Sequence, residues 1–218
     1  MDEPSKEKYT FSKYDYQNFS KYNHKSRWIS YWYQIIEVLE LKPDSVLEIG
    51  IGDKTVSHCL KSQGITVTTL DINKELKPDV VGSILKAPFQ DNSFDVVLCA
   101  EVLEHLPFEK FEEGLKELKR ISKRNIVLSL PHFGHSIKFS FKIPLIKERK
   151  LAIRMAFPIK HRFNGEHYWE IGKRGYPLAK IRNIIKNYFR IKKEFIPFEN
   201  QYHHFFILEK DHTNYVSP

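Results

Sequence analysis

Short β-type runs alternate with segments of helical periodicity along most of the chain. Between residues 26 and 39, apolar residues recur every three or four positions, which predicts an amphipathic helix. Further helices are predicted from the turn at 50–53 to about residue 62, over 108–122 and over 177–188. The β-type runs are 45–49, 66–70, 80–81, 94–99, 125–130, 191–196 and 203–208. Strands that alternate with helices favour a parallel sheet covered by helices on both faces.

The alternation is interrupted between residues 132 and 175. This stretch shows no clear strand–helix unit, and it is far longer than the roughly 2–6 residues that usually connect a strand to a helix. It is also rich in aromatic and histidine side chains, so we expect a functional insert that covers a substrate. After it, the last two β-type runs are joined by a short connection, which predicts antiparallel neighbours.

The composition is that of an ordinary globular chain. The 218 residues suffice for one domain, or for one domain with an appendage. Two cysteines, Cys59 and Cys99, are too few for a scaffold built on disulfides. No apolar stretch approaches the roughly 18 residues of a membrane-spanning helix, and no secretory signal is visible at the N-terminus. The sequence therefore predicts a cytoplasmic protein.

Positive charge is concentrated in the last two-fifths of the chain. Residues 126–218 carry 17 basic and 7 acidic side chains, whereas residues 1–125 carry 18 and 20. Within the insert, residues 138–162 carry eight basic side chains and one acidic side chain, interleaved with large apolar residues. Three interpretations remain open: a lid over the active site, a peripheral contact with an anionic membrane, or a contact with phosphate. Nucleic acid is disfavoured because base-stacking motifs are absent.

The turn after the first predicted strand has the residue types of an adenosine-binding site. Gly50 and Gly52 let the backbone approach a ligand, and the following helix N-terminus offers free N–H groups. Asp71 ends the second strand, where a carboxylate can accept hydrogen bonds from ribose hydroxyls. Thr55 stands where dinucleotide-binding turns prefer glycine or alanine. Glu48 would repel a pyrophosphate but attract a cationic sulfonium or ammonium, so a nicotinamide dinucleotide is the weaker alternative.

Five short motifs follow one another between residues 45 and 131. They are Glu48-Ile49-Gly50-Ile51-Gly52, Leu70-Asp71-Ile72, Gly82-Ser83-Ile84 with Ala87-Pro88-Phe89, Ser93-Phe94-Asp95-Val96-Val97, and Glu101-Val102-Leu103-Glu104-His105. In order and spacing they resemble the class I S-adenosylmethionine-dependent methyltransferases, within the broad group related to ubiquinone and menaquinone methyltransferases. The resemblance implies an α/β fold with a Rossmann-like seven-stranded sheet, mostly parallel with an antiparallel last strand, and helices on both faces.

The resemblance also implies a cofactor, S-adenosylmethionine, and the residues that bind it. The first motif would face the methionine part of the cofactor, and the second would contact the ribose and the adenine. The third motif would lie along the edge of the adenine. The start of the fifth motif would line the opening through which the methyl group is transferred. The cofactor-binding residues predicted in this way are Glu48, Gly50, Gly52, Asp71, Ile72, Ser83, Ile84, Ala100 and Glu101. Two positions depart from the family: Lys54 replaces a frequent glycine, and Ser83 replaces a frequent aspartate. Ser83 is the weaker hydrogen-bond acceptor.

Methyl transfer is an in-line displacement for which the cofactor supplies the activated methyl group. No metal is required, and a base is needed only for acceptors that must lose a proton. The candidate catalytic residues are His105, His132, His135 and His167. We expect part of 161–170 to line the acceptor pocket, since two histidines, two carboxylates and an arginine fall within ten positions. The alternatives are structural: packing of a helix by His105, and a loop anchored by Tyr168 and Trp169.

No metal site is predicted, because the spacing of the candidate ligands in 161–170 matches no standard motif. Residues 1–25 form an aromatic-rich N-terminal segment with four tyrosines, Tyr9, Tyr14, Tyr16 and Tyr22, and are interpreted as a lid. Arg27 is a candidate to hold the methionine carboxylate. Plain helix packing by Trp28 and Trp32 is the alternative for this region.

The sequence therefore predicts a methyltransferase domain over 26–218, with a substrate-covering insert at about 132–175. Its acceptor is expected to be a small molecule, a sugar or a lipid-linked metabolite, with a preference for something anionic or held at an anionic surface. Two alternatives remain open: a catalytically degenerate S-adenosylmethionine-binding protein that acts at a membrane surface or on a partner, and an NAD-dependent oxidoreductase. The sequence indicates no oligomeric state.

Overall fold

The structure is a computed structural model that describes Tyr16 and residues 19–155, 159–163 and 165–210. Its helices are α1 (Phe19–Tyr22), α2 (Lys25–Glu40), α3 (Thr55–Ser62), α4 (Phe111–Ile121) and α5 (Leu178–Lys186). Short 3₁₀ turns lie at Lys74–Leu76, Ile84–Lys86, Leu103–His105 and Phe108–Lys110. The strands are β1 (Ser45–Ile49), β2 (Thr66–Asp71), β3 (Val80–Val81), β4 (Phe94–Ala100), β5 (Ser122–Pro131), β6 (His135–Phe141), β7 (Arg149–Met155), β8 (Phe189–Phe195) and β9 (His203–Lys210).

Seven strands form one sheet in the order β3-β2-β1-β4-β5-β9-β8. The pairs β2–β3, β1–β2, β1–β4 and β4–β5 are parallel. Strand β9 runs antiparallel to both of its neighbours, β5 and β8. The predicted fold class, a mostly parallel Rossmann-like sheet with an antiparallel last strand, is confirmed.

Both faces of the sheet are covered by helices. Helices α2 and α3 pack on one face through side chains such as Val38 and Leu60, against β1 and β4 residues that include Val46. Helices α4 and α5 pack on the other face through side chains such as Leu115, against a cluster that includes Leu47. Burial on both faces explains the apolar runs at the centres of β4 and β5, residues 96–100 and 126–128. In the part of the chain that the structure describes, none of the helices combines the length and apolar character that crossing a bilayer requires.

The insert contains two strands that the sequence analysis did not predict. Strands β6 and β7 form a separate antiparallel pair, in which Ile137 lies opposite Ile153 and Phe139 lies opposite Leu151. We refer to residues 135–155 as the hairpin. In the sequence, the many lysines and arginines of 138–162 obscure this alternation of apolar and polar residues.

Trp169 attaches the second half of the insert to the core. Its side chain is fully buried, and its ring centroid lies 4.9 Å from that of Phe111 and 5.1 Å from that of Phe108. Large aromatic side chains that are buried in this way contribute most of their stabilisation through packing and loss of contact with water. The structural alternative for 161–170 therefore describes Trp169 correctly.

Replacing this tryptophan tests the anchoring role. We expect Trp169→Ala to lower the free energy of unfolding by about 3–5 kcal/mol, because the substitution leaves a large cavity in a packed core. Urea denaturation followed by circular dichroism measures this loss. The matched control is Trp32→Ala, since the Trp32 side chain is mostly exposed on α2; its effect should stay within about 0.5 kcal/mol. Equal losses in the two variants would contradict the assignment.

Candidate active site

A cavity of about 370 Å³ lies at the carboxyl ends of β1, β2 and β4. Ligands of open α/β sheets bind at this edge because the strand order reverses there. Most of the residues predicted from the sequence line this cavity: Glu48, Gly50, Gly52, Asp71, Ile72, Ile84, Ala100, Glu101, His105 and His167. Glu166, from the same stretch of the insert as His167, also lines it.

The turn after β1 is shaped for close approach by its glycines. Gly50 has a φ of 76°, and a Cβ placed on it would lie 2.4 Å from Cγ2 of Val102. Only glycine therefore fits at this position without displacing Val102. Lys54, where the family often has glycine, has a φ of 68°, a backbone conformation that is unfavourable for lysine. Its Nζ donates a hydrogen bond of 2.6 Å to the carbonyl oxygen of Lys77. This bond links the turn after β1 to the segment between β2 and β3.

Asp71 connects the turn after β1 to the end of β2. Its Oδ2 accepts a hydrogen bond of 3.0 Å from the backbone N–H of Ile51, and its Oδ1 accepts one of 2.7 Å from that of Asn73. Burial raises the pKa of this carboxyl, although the backbone hydrogen bonds act in the opposite direction. A carboxylate oxygen can accept more than one hydrogen bond, so both oxygens retain capacity for a diol.

The cavity wall contains one acidic and one basic side chain, each with a buried polar atom that forms no hydrogen bond with the described residues. Oε2 of Glu48 and Nε of Arg27 have no hydrogen-bond partner within the described ranges. Burial raises the pKa of Glu48 to about 8. The guanidinium of Arg27 lies 4.1 Å above the ring of Tyr22, and its NH1 donates a hydrogen bond of 3.2 Å to the hydroxyl of Tyr22. A ligand with one ammonium and one carboxylate would satisfy both atoms.

Glu101 follows β4 in a strained conformation. Its φ of 54° lies in the left-handed region, which larger side chains rarely adopt. Its backbone N–H donates to the carbonyl oxygen of Ser129 at 3.1 Å, and its Oε1 accepts from the Ser129 hydroxyl at 2.8 Å. Its Oε2 lies 3.7 Å from Nε2 of His203. Strain that neighbouring groups maintain in this way is frequent at functional sites.

A carboxyl and two imidazoles meet at the same end of the cavity. Glu104 is fully buried, and neither of its carboxyl oxygens has a hydrogen-bond partner in the described part of the chain. Its Oε1 lies 4.0 Å from Nε2 of His105 and 3.9 Å from Nε2 of His167. Burial and the nearby Glu101 carboxylate raise the pKa of Glu104. The three donor atoms lie within 4.8 Å of one another, close enough to share a proton or a cation.

The hydrogen bonding of His105 assigns its tautomer. Nδ1 lies 2.9 Å from the carbonyl oxygen of Glu166, which can only accept, so Nδ1 carries the ring hydrogen. Nε2 is therefore left as a proton acceptor. Burial, assisted by the neighbouring His167, lowers the pKa of His105 to about 4, so the ring is neutral at neutral pH.

Three of the predicted site residues lie outside this cavity. The hydroxyl of Ser83 accepts a hydrogen bond of 3.0 Å from the backbone N–H of Leu85 and caps a 3₁₀ turn. His132 is buried, shares a hydrogen bond of 2.8 Å with His204, and lines a second cavity. His135 begins the hairpin, where it is exposed. The structure does not bring these three side chains together with His105 and His167.

The cavity wall includes residues that were not identified as site residues from the sequence, among them Tyr202, His203 and Tyr16. His203 begins β9 and Tyr202 immediately precedes it, and because β9 is antiparallel to β5, its first residues lie at the carboxyl edge of the parallel strands. The predicted antiparallel pair was the signal that would have located them. Tyr16 also lines the cavity, together with Tyr22 and Arg27 of the N-terminal region. Tyr9 and Tyr14 of the predicted lid lie outside the described residues.

Comparison with known proteins agrees with this arrangement. Residues 47–129 match the family model of a methyltransferase domain. A demethylmenaquinone methyltransferase of Corynebacterium efficiens is 30% identical over 107 residues, which cover 45% of this chain and 46% of that protein. An uncharacterised protein of Methanocaldococcus jannaschii is 34% identical over 97 residues, 41% of each chain. This chain thus spans less than half the length of the curated relatives it matches.

The fold also resembles those of solved structures. The 1,6-didemethyltoxoflavin N1-methyltransferase of Burkholderia thailandensis, crystallised with 1,6-didemethyltoxoflavin and S-adenosylhomocysteine, has a TM-score of 0.60 to this chain. It is 11% identical, and the match covers 90% of this chain and 84% of that one. At this identity the likeness concerns the fold. With the domain match, the resemblance predicted from the sequence is confirmed.

The raised pKa of Glu48 has a consequence for stability. The unfolded chain has the ordinary value of 4.5 and the folded chain a value of about 8, so folding favours the neutral form. Relative to Glu48→Gln, the wild type should therefore lose about 4 kcal/mol of unfolding free energy between about pH 5 and about pH 9. Urea denaturation of both proteins across this range measures the difference.

The control for this comparison is Glu75→Gln, since Glu75 is exposed. Its unfolding free energy should follow that of the wild type at every pH. Wild type and Glu48→Gln curves that stay parallel across the range would show that Glu48 is not held in a desolvated site.

Proposed function

We propose, on the premise that residues 47–129 form a methyltransferase domain, that the protein is an S-adenosylmethionine-dependent methyltransferase. The observation that supports this most directly is the pair of buried, unsatisfied polar groups in the cavity wall, Oε2 of Glu48 and Nε of Arg27. They complement the ammonium and carboxylate of an amino acid, and Asp71 in the same cavity complements a ribose diol. A nicotinamide dinucleotide has the diol but no amino-acid end, so the geometry favours S-adenosylmethionine.

The residues present fit this cofactor, and its methyl group would then point toward the part of the cavity near Glu101. When bound, S-adenosylmethionine supplies an activated methyl group on a sulfonium. Glu48 and Arg27 would hold the methionine part, Asp71 the ribose, and Ile72 and Ile84 the adenine. Glu101 and the group of Glu104, His105 and His167 would then face the acceptor. Holding the reactants in line is the main contribution that the protein makes to such a displacement.

We assign His105 as the catalytic base for acceptors that lose a proton. A base whose pKa is near 4 is weak, but it is unprotonated at neutral pH and can accept a proton from a strongly acidic group. A hydroxyl becomes strongly acidic as its oxygen is methylated, so hydroxyl acceptors suit His105 best. His167, whose ring centroid lies 5.0 Å from that of His105, is positioned to share the transferred proton.

The acceptor is proposed to be a small molecule or a lipid-linked metabolite. A cavity of about 370 Å³ accommodates a small molecule beside part of the cofactor, and the solved relative from Burkholderia thailandensis binds 1,6-didemethyltoxoflavin. We further propose that the N-terminal segment acts as a lid, supported by the positions of Tyr16 and Tyr22 in the cavity wall. The tyrosine rings contact each other edge to face, with centroids 4.7 Å apart.

Ligand binding tests the cofactor assignment. By isothermal titration calorimetry, we expect S-adenosylhomocysteine to bind and NAD not to bind. Asp71→Asn should weaken S-adenosylhomocysteine at least tenfold, because it removes a charged acceptor of ribose hydrogen bonds. Asp91→Asn is the matched control, since the carboxylate of Asp91 is exposed, does not line the cavity and forms an ion pair with Arg120. Binding of NAD alone would overturn the proposed function.

Kinetics test the proposed base. His105→Asn should reduce methyl transfer from labelled S-adenosylmethionine to a panel of hydroxyl acceptors by about 100-fold, the usual contribution of a general base. The affinity for S-adenosylhomocysteine should stay within about twofold of the wild type, since His105 acts on the acceptor. His58→Asn, on the exposed face of α3, is the control. Unchanged turnover in His105→Asn would exclude this residue as the base.

A further inference from the structure

The hairpin turns its apolar face away from the protein. Ile137, Phe139, Leu151 and Ile153 share one face of the strand pair, because cross-strand partners and every second residue point the same way. Each of these side chains is between 45% and 57% exposed. In most antiparallel sheets with one covered face, it is the apolar face that packs on the core. The hairpin is the reverse of that arrangement.

The opposite, polar face of the hairpin is the one that contacts the protein. Lys138 and Lys150 lie over the ring of Phe198, with Nζ 5.6 Å and 5.5 Å from its centroid. Lys150 also forms an ion pair of 2.6 Å with Glu199. Arg154 donates hydrogen bonds to the carbonyl oxygens of His132, at 3.0 Å, and of Gln201. These polar contacts attach the hairpin in the orientation that exposes its apolar face.

The turn of the hairpin continues the apolar surface and surrounds it with positive charge. Ile143 and Ile146 are half exposed, and Leu145 is fully exposed. The flanking residues Lys142, Lys147 and Arg149 are exposed as well. Glu148 is the one acidic residue between positions 135 and 155. It accepts a hydrogen bond from the Ser140 hydroxyl and forms an ion pair with Lys150. The turn thus combines large apolar side chains with an excess of positive charge.

Exposed aromatic side chains of α2 adjoin the loop that supports the hairpin. Trp28 and Trp32 are about half exposed. The ring of Trp32 packs edge to face on Tyr33, with centroids 4.8 Å apart, and the hydroxyl of Tyr33 donates to Glu199 at 3.4 Å. Glu199 is the same residue that pairs with Lys150 of the hairpin. Tryptophan is enriched where proteins meet the interfacial region of a bilayer.

We propose that the hairpin, residues 135–155, docks the protein on an anionic lipid bilayer. Its apolar face and turn would enter the headgroup and upper acyl region, while Lys142, Lys147 and Arg149 would pair with anionic headgroups. The positive charge of the surface favours an anionic bilayer, since a wholly apolar partner would not neutralise these three cations. The docking stands independently of the proposed function, and the further step, presentation of the cavity to a membrane-held acceptor, rests on that function.

Sedimentation with vesicles tests the proposal. The full chain should co-sediment with vesicles of phosphatidylglycerol and phosphatidylcholine in equal parts, and much less with phosphatidylcholine alone. The triple variant Phe139→Ser, Leu145→Ser, Leu151→Ser should bind at least tenfold more weakly, because three large apolar side chains are lost from the inserted surface. Val81→Ser is the matched control, since Val81 is an equally exposed apolar residue on β3, at the opposite edge of the main sheet.

A charge variant separates the electrostatic contribution from the apolar one. Lys142→Glu with Arg149→Glu should lose at least tenfold in affinity for the anionic vesicles at low salt, whereas Lys116→Glu, on the exposed face of α4, should not. Equal binding of wild type and both variants would overturn the proposal. The proposal would also be overturned if the wild type did not bind the vesicles and was a dimer that the three serine substitutions converted to a monomer. A second copy of the chain would then cover the apolar face.

Binding of S-adenosylhomocysteine to the same variants keeps this test distinct from that of the proposed function. The serine and charge variants should retain wild-type affinity for S-adenosylhomocysteine, which also shows that they fold. Vesicle binding without S-adenosylhomocysteine binding would refute the methyltransferase function and leave the docking surface intact. The reverse result would refute docking alone.

Discussion

The structure depends on a parallel sheet that is buried on both faces. Polar side chains within such a sheet would be desolvated without compensation, so the centres of β4 and β5, residues 96–100 and 126–128, are apolar runs. Chemistry is therefore confined to the edge where parallel strands end and helices begin. The turn after β1, Asp71 at the end of β2 and Glu101 after β4 all lie at this edge. Glu48 places a carboxyl within the buried part of β1, and its raised pKa reflects the cost of that burial.

Local sequence patterns predicted the fold, and the residues that they indicated at the ends of β1 and β2 do line the cavity. The strand 45–49 and the residues that follow it could be predicted because the glycines, Glu48 and Asp71 act through short-range geometry at successive strand ends. The end of the cavity near Glu104 could be predicted only in part. His105 and His167 were candidates, but His203 reaches the cavity through pairing with a strand more than 70 residues away, and Tyr16 through the return of a terminal segment. No local pattern contains such contacts.

The orientation of the hairpin shows a second limit of sequence analysis. Its residues do alternate, but alternation alone does not say which face is covered. That choice is made by Phe198, Glu199 and Gln201, which belong to another part of the chain and bind the polar face. The predicted excess of positive charge in the C-terminal part of the chain is thus divided between two uses. Lys138, Lys150 and Arg154 hold the hairpin in place, and the cations of its turn face outward.

The protonation of Glu48 also determines how the cavity exchanges charge with solvent. At neutral pH the empty site holds a neutral carboxyl, because the pKa is near 8. An ammonium placed beside this carboxyl favours its ionised form, so a proton leaves as the cation arrives. On the proposed assignment, binding is then an electroneutral exchange of one cation for one proton. Glu48 is then ionised only when a cation lies beside it, and the heat of binding depends on which buffer takes up the proton.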